Sequence, residues 1–330
     1  MTPEERVLAV VHRAERRKAR RPAFELPTRD ALVASLDDVL PADAIDAALA
    51  RLVCEGALVP AGDHWTTAPA QVDRAKGLVE AMMAEAFGEW MVAAEASAAF
   101  REFCRRVNGL PFVAFDMIDP QQLEAAVAAA GLGPGQRALD LGCGVGTLTE
   151  EVRRRTGATL EGVDFAPAAI RRASERTAGD DGLRFEVLAL DQVDPPPASY
   201  DAILAFDTLY FAEDLDRLVA ACARALRPGG RLIAFFSTMD VPHPEMEPDG
   251  TRLARALRAA GLTYTTTEHT EAELAHWRRS KEAVDALEAM FDAEGSRRWW
   301  EGRRRETDGV LPLCESGRNR RYLYRATRAP

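Results

Sequence analysis

The sequence predicts an α/β fold in which a doubly wound, seven-stranded sheet follows a mainly helical N-terminal domain. Three observations predict it. Short apolar runs of the kind found in strands buried on both faces recur between residues 138 and 325, separated by stretches with helical spacing. The first run ends in a glycine-rich turn, Ala138-Leu-Asp-Leu-Gly-Cys-Gly-Val-Gly-Thr147, and a lone acidic residue, Asp164, closes the second. Ahead of them lies a segment of about 100 residues with helical spacing and a short hairpin signal, which the sheet does not require.

The glycines come first in the argument. A strand that turns sharply into a helix, with its backbone close to a ligand, needs residues without a Cβ, and Gly142, Gly144 and Gly146 meet that need. A dinucleotide turn would read Gly-x-Gly-x-x-Gly and seat a pyrophosphate on the helix N-terminus. Here the third glycine comes one position early and Thr147 takes its place. An acidic residue about 20 positions after such a turn accepts from the ribose hydroxyls of an adenosine-containing cofactor, and Asp164, in Leu160-Glu-Gly-Val-Asp-Phe165, stands there. Cys143 lies inside the turn with no His at a telling spacing, so it reads as a small filler of the cofactor turn and not as a nucleophile.

With these motifs in order, residues 120–236 resemble the core of the class I S-adenosylmethionine-dependent methyltransferases. The resemblance implies S-adenosylmethionine as cofactor and S-adenosylhomocysteine as product. It places Asp140 near the methionine end, the turn of Gly142, Cys143, Gly144 and Gly146 along the methionyl and ribose parts, and Asp164 with Phe165 at the ribose. Phe185-Glu-Val-Leu-Ala-Leu-Asp191-Gln192 resembles the third motif, which implies adenine contacts for Asp191 and Gln192. The run from Tyr200 through Asp207 to Phe211 resembles the fourth strand and the turn beside the sulfonium, and Leu226-Arg-Pro-Gly-Gly-Arg-Leu-Ile-Ala-Phe235 resembles the helix end and fifth strand. Residues 263–267 and 321–325 supply the last two strands. Asp201, at the start of a strand, reads as a strand-end hydrogen-bonding group.

Methyl transfer from a sulfonium is an in-line displacement with a good leaving group, so the protein mainly aligns the acceptor and excludes water. An acceptor proton still needs somewhere to go, and Asp207, Tyr210 and His243 are the expected catalytic residues. His243 lies in a polar loop after the fifth strand, at the ligand edge of the sheet, which makes it a better candidate than His12, His64 or His269. The resemblance also implies that the segment before the core builds the acceptor pocket. Phe112 and Phe115 are candidates for that role, with core packing an equal alternative. Tyr210, Phe211, His243 and, from a helical insert at about 270–310, Trp277 complete the expected acceptor site.

Asp207-Thr-Leu-Tyr210 lacks the Pro-Pro-aromatic signature of enzymes acting on bases or amide nitrogens, and no metal-site constellation is evident. The expected acceptor is therefore a small metabolite, with an amine nitrogen favoured over oxygen or carbon. The alternatives are a protein that binds S-adenosylmethionine but performs other chemistry, and a DNA- or protein-binding regulator that uses the core as a sensor.

Composition agrees with a cytoplasmic enzyme: 330 residues, 47% hydrophobic, 28% charged, formal charge -10. The five cysteines are scattered, Val7-Leu-Ala-Val-Val11 is too short for a secretory signal and is followed by basic residues including Arg20 and Arg21, and no run approaches membrane-spanning length. The expected organisation is a winged-helix-like module at 1–70, a helical connector and lid at 71–118, and the methyltransferase domain at 119–330. In the module, residues 28–36 and 42–54 read as helices and 57–67 as a hairpin. Its second helix carries Asp43, Asp46 and Glu55 close by, with only Arg51 to meet phosphate, so nucleic acid is disfavoured and a dimerisation or lid role is expected.

Overall fold

The computed structural model describes residues 1–20 and 24–330; Arg21, named above among the basic residues, lies outside them. The chain divides into two compact units, Met1–Phe87 and Gly88–Pro330. In the first, helices α1 (Pro3–Arg20), α2 (Arg29–Leu36) and α3 (Ala42–Cys54) precede a hairpin of β1 (Leu58–Ala61) and β2 (His64–Thr67). Val7, Leu8, Val11, Leu32, Ile45 and Leu52 form its core. The apolar stripe of α1 therefore belongs to a packed amphipathic helix. Arg51 pairs with Glu4 at 2.7 Å, and Asp46 with Arg29 at 2.6 Å.

Helix α4 (Val72–Ala96) leads into the second unit, where α5 (Ala98–Asn108), an irregular segment at 109–118 and α6 (Pro120–Ala130) precede the sheet. Helix α6 starts where it does because Asp119 and Gln122 form a capping box and Pro120 occupies the first turn. Then follow β3 (Arg137–Leu141), α7 (Thr147–Thr156), β4 (Thr159–Asp164), α8 (Pro167–Arg176), β5 (Leu183–Val187), β6 (Tyr200–Phe206), α9 (Leu215–Ala225), β7 (Leu226–Ser237), α10 (Arg252–Ala259), β8 (Thr263–Glu268), α11 (Thr270–Ala293), α12 (Arg297–Glu315) and β9 (Arg321–Thr327).

The seven strands of this sheet run in the order β5-β4-β3-β6-β7-β9-β8, with β3 to β7 parallel and β9 antiparallel to both its neighbours. Two apolar layers cover it. Leu139, Leu141, Ile203, Ala205 and Phe236 face α9 and α10, while Ala138, Ala202, Leu204 and Phe235 face α6 and α7. Alternation along each strand thus divides consecutive apolar residues between two helical layers, as the near-continuous apolar runs require. The order reverses between β3 and β6, so their carboxyl ends open a crevice. Asp201 accepts from the Arg137 N–H at 2.8 Å and from Arg227 at 2.6 Å, closing the opposite end of β6. Helices α11 and α12 form the charged pair expected near 270–310; Trp300 Nε1 donates to the Val284 carbonyl at 2.7 Å, within a core shared with Phe100 and Phe103 of α5.

Candidate active site

The turn after β3 passes through Gly142, Gly144 and Gly146, with φ of 72°, 56° and 77°. Two of them are also places of close approach. A Cβ on Gly142 would lie 2.6 Å from Thr208 Cγ2, and one on Gly146 would lie 2.8 Å from the Phe185 ring. The Gly142 and Cys143 amides donate to the Val163 carbonyl at 2.8 and 3.0 Å, which binds the turn to the end of β4. There Asp164 is buried, with Oδ2 accepting from the Gly144 N–H at 3.0 Å and Oδ1 from the Ala166 N–H at 2.9 Å. An ionised carboxylate offers about four acceptor positions. These two amides therefore leave about two of them unused.

Asp140 accepts from Thr149 Oγ1 at 2.6 Å, which ties β3 to the first turns of α7. Burial, with the charge of Asp164 in the same sense, pushes its carboxyl up to about 6. Burial also raises Asp164, and raises the Cys143 thiol well above its ordinary range, so the sulfur is a filler without nucleophilic character at neutral pH. Phe165 packs with Met91, Val145, Ala169 and Phe115 beside the turn.

At the end of β6 the chain turns through Asp207, which is buried and has φ of 58°. Its carboxylate forms a two-pronged pair with Arg321, at 2.5 Å from Oδ1 and 2.8 Å from Oδ2, and Oδ2 also accepts from the Met117 N–H at 3.0 Å. Arg321 has no exposed surface and lies 4.6 Å over the Phe235 ring. It donates a further bond to Ser237 Oγ at 3.1 Å, and Ser237 donates to Glu273 at 3.0 Å. The register explains the arrangement. β9 runs antiparallel to β7 with Arg321 opposite Ser237, so the first residue of β9 arrives at the carboxyl ends of the parallel strands. Burial raises the Glu273 carboxyl and pushes the buried His276 imidazole down to about 3, so the ring is neutral.

The methyltransferase domain family matches residues 139–232. The ubiquinone biosynthesis O-methyltransferase of Xanthomonas campestris pv. campestris is 31% identical over 178 residues, covering 50% of this chain and 69% of that protein. The chain belongs to the class I S-adenosylmethionine-dependent methyltransferase family. The like-named protein of Idiomarina loihiensis is 37% identical over 109 residues, 32% of this chain and 43% of that one, so the chain spans about half the length of the first curated relatives it matches. Phosphoethanolamine N-methyltransferase 2 of Haemonchus contortus in complex with S-adenosyl-L-methionine shares the fold, at a TM-score of 0.58 and 18% identity over 70% of this chain and 60% of that one.

Within this methyltransferase fold, the expected site residues separate. Asp140, Gly142, Cys143, Gly144, Gly146, Asp164 and Phe165 gather at the carboxyl ends of β3 and β4. Asp191 follows the carboxyl end of β5, beside β4: its Oδ1 accepts from the Glu213 and Asp214 amides at 3.1 and 3.2 Å, binding the turn after β5 to the start of α9, with Gln192 exposed beside it. Phe115 remains next to the turn, 5.0 Å from Trp90, whereas Phe112 packs under α6.

Four acceptor-side expectations need correction. Asp207 is not a free base, because its carboxylate is clamped by Arg321 and the Met117 amide. His243 is largely exposed and pairs with Glu247 at 3.3 Å. Phe211 is 74% exposed and meets Tyr210 edge-on, with ring centroids 5.2 Å apart. Trp277 is buried against Val310 and Cys314 in the α11–α12 pair and donates to Glu273 at 3.4 Å. Tyr210 packs on Phe236 with ring centroids 5.8 Å apart, and its hydroxyl hydrogen-bonds with Asp207. Sequence reasoning missed Arg321, Glu273 and Asp116. No local signal marks the first two, since an Arg opening a strand and a Glu on a charged helix look solvated; Asp116 lay in a segment already singled out for its aromatics.

Proposed function

We propose that the protein binds S-adenosylmethionine along the β3 and β4 edge and transfers its methyl group to a small-molecule acceptor. The observation that carries this reading is Asp164, buried at the end of β4 with Oδ2 on the Gly144 amide of the turn, Oδ1 on the Ala166 amide, and acceptor positions that neither amide uses. Carboxylates outnumber cations where the acceptor would lie, with Asp116, Asp207 and Glu273 around Arg321, which supports an amine as the attacking group. The relatives named for O-methylation make a hydroxyl the second reading. The test is to incubate the protein with methyl-labelled S-adenosylmethionine and a metabolite extract of its host and to identify labelled products by mass spectrometry. A labelled small molecule establishes the reaction, and its methylated atom decides between nitrogen and oxygen. Cofactor binding with no label in any product, despite consumption of an extract component, would transfer the weight to non-methylating chemistry.

A further inference from the structure

The segment at 109–118 carries a carboxyl group for which neither the cofactor site nor the Asp207–Arg321 pair has accounted. The segment is fastened at several points. Asn108 Nδ2 donates to the carbonyls of Asp116 and Ile118 at 2.9 and 3.2 Å, Thr147 Oγ1 at the start of α7 donates to the Val113 carbonyl at 2.7 Å, and the Met117 N–H reaches Asp207 at 3.0 Å. These ties hold Asp116 between the end of β3 and the end of β6. The charges that act on it from the surrounding strands are Asp140 of β3, Asp207 after β6 and Arg321 of β9. Glu273 of α11 and the Tyr210 hydroxyl complete the groups around that pair.

Asp116 Oδ1 accepts from the Ile118 N–H at 3.0 Å, which fixes the carboxyl plane. Among the described residues Oδ2 has no donor. The Asp116 and Tyr210 side chains are both half-buried. Arg321 makes no hydrogen bond to it, because two of the guanidinium nitrogens are committed to Asp207 and the third, Nε, is buried with no partner.

Resting on the reading of a methyl donor in this crevice, we propose that Asp116 is the catalytic base that faces the sulfonium and takes the acceptor's proton. The acceptor lone pair forms a bond to the methyl carbon, the carbon–sulfur bond breaks with its electron pair going to sulfur, and the proton on the attacking nitrogen or oxygen passes to Asp116 Oδ2. The sulfonium charge and the carboxylate charge cancel in the products, a neutral thioether and a carboxylic acid. Burial, with the charge of Asp207 in the same sense, pushes the Asp116 carboxyl up to about 7, the range in which a base is both ionised and basic near neutral pH.

The test needs no acceptor. Binding of S-adenosylmethionine and of S-adenosylhomocysteine is measured by calorimetry at pH 7 in two buffers of different ionisation enthalpy. A sulfonium beside Asp116 lowers its pKa and expels roughly 0.4 proton per site, whereas the neutral thioether expels close to none. In Asp116→Asn, which keeps the acceptor for the Ile118 N–H, the release with S-adenosylmethionine disappears while binding persists. Equal proton release with the two ligands in the wild-type protein, or undiminished release in the variant, would overturn the assignment. Failure of both ligands to bind the wild-type protein would instead bring down the cofactor reading and Asp116 with it. The wild-type contrast between ligands stands even where the variant folds poorly.

Discussion

Asp207 and Arg321 are a buried ion pair of opposite obligations, each lacking water to replace the other. Removing one partner from such a pair costs about 3–5 kcal/mol, because it strands the remaining charge. Arg321→Met is expected to lower the stability of the second unit by about that amount, read from urea unfolding, and by more than Arg51→Met, whose partner Glu4 is near the surface. Asp164→Ala removes a buried charged acceptor and is expected to weaken S-adenosylmethionine binding by about 1.5–3 kcal/mol; a calorimetric affinity equal to wild type would end its ribose role. Asp116 also sets a pH dependence. Its folded pKa, about 7, lies above the ordinary 3.8, so it adds stability that is fully present below the ordinary value and is lost as pH rises through 7. Melting curves between pH 5 and pH 8 should show this decline in the wild-type protein and a shallower one in Asp116→Asn.

Among the elements, the end of α4 has a defined seat. A Cβ on Gly88 would lie 3.2 Å from Ala166 and Ala168, Met91 lies beside Gly144, and Glu95 pairs with Arg172 at 2.6 Å and Arg176 at 2.9 Å. The close glycine contact lets the helix lie on the start of α8, and the two ion pairs hold its last turn. Glu95→Gln should therefore raise amide exchange in residues 88–96 without changing it in β3 or β6, as measured by mass spectrometry; unchanged protection would show that apolar packing alone holds the helix. The turn of β3 has no such latitude. Gly146→Ala combines a positive φ with a 2.8 Å approach to Phe185, and a loss of at least about 1 kcal/mol is expected.

For the whole molecule the formal charge is -10, and in the first unit Arg51, the basic residue of α3, pairs with Glu4 while Arg29 pairs with Asp46, so α3 presents no unpaired cation to a phosphate backbone. Fluorescence anisotropy with duplex DNA at 50 mM salt is expected to show no saturable binding by the full chain. Among the described residues no helix is long and apolar enough to cross a membrane. The two units carry separate cores, so thermal unfolding should be described by two transitions, of which S-adenosylmethionine shifts the one belonging to the second unit.

The order of elements and the cofactor turn were legible in the sequence because their signals are local. A glycine at positive φ, an acidic residue closing a strand, a capping box and apolar runs are each written within a few neighbouring positions. From these, Gly142, Gly144, Gly146 and Asp164 could be placed on one edge of a doubly wound sheet. Only the tertiary structure decided what surrounds the acceptor. Arg321 reaches Asp207 across 114 positions because β9 reverses direction beside β7, and Glu273 reaches Ser237 across 36. The same distance-blindness hid that His243 pairs with Glu247 and that Trp277 packs against Val310, Cys314 and Met117 and donates to Glu273. Short-range pattern determines where a strand ends; only pairing between distant strands and the seating of loops determines which charges meet there.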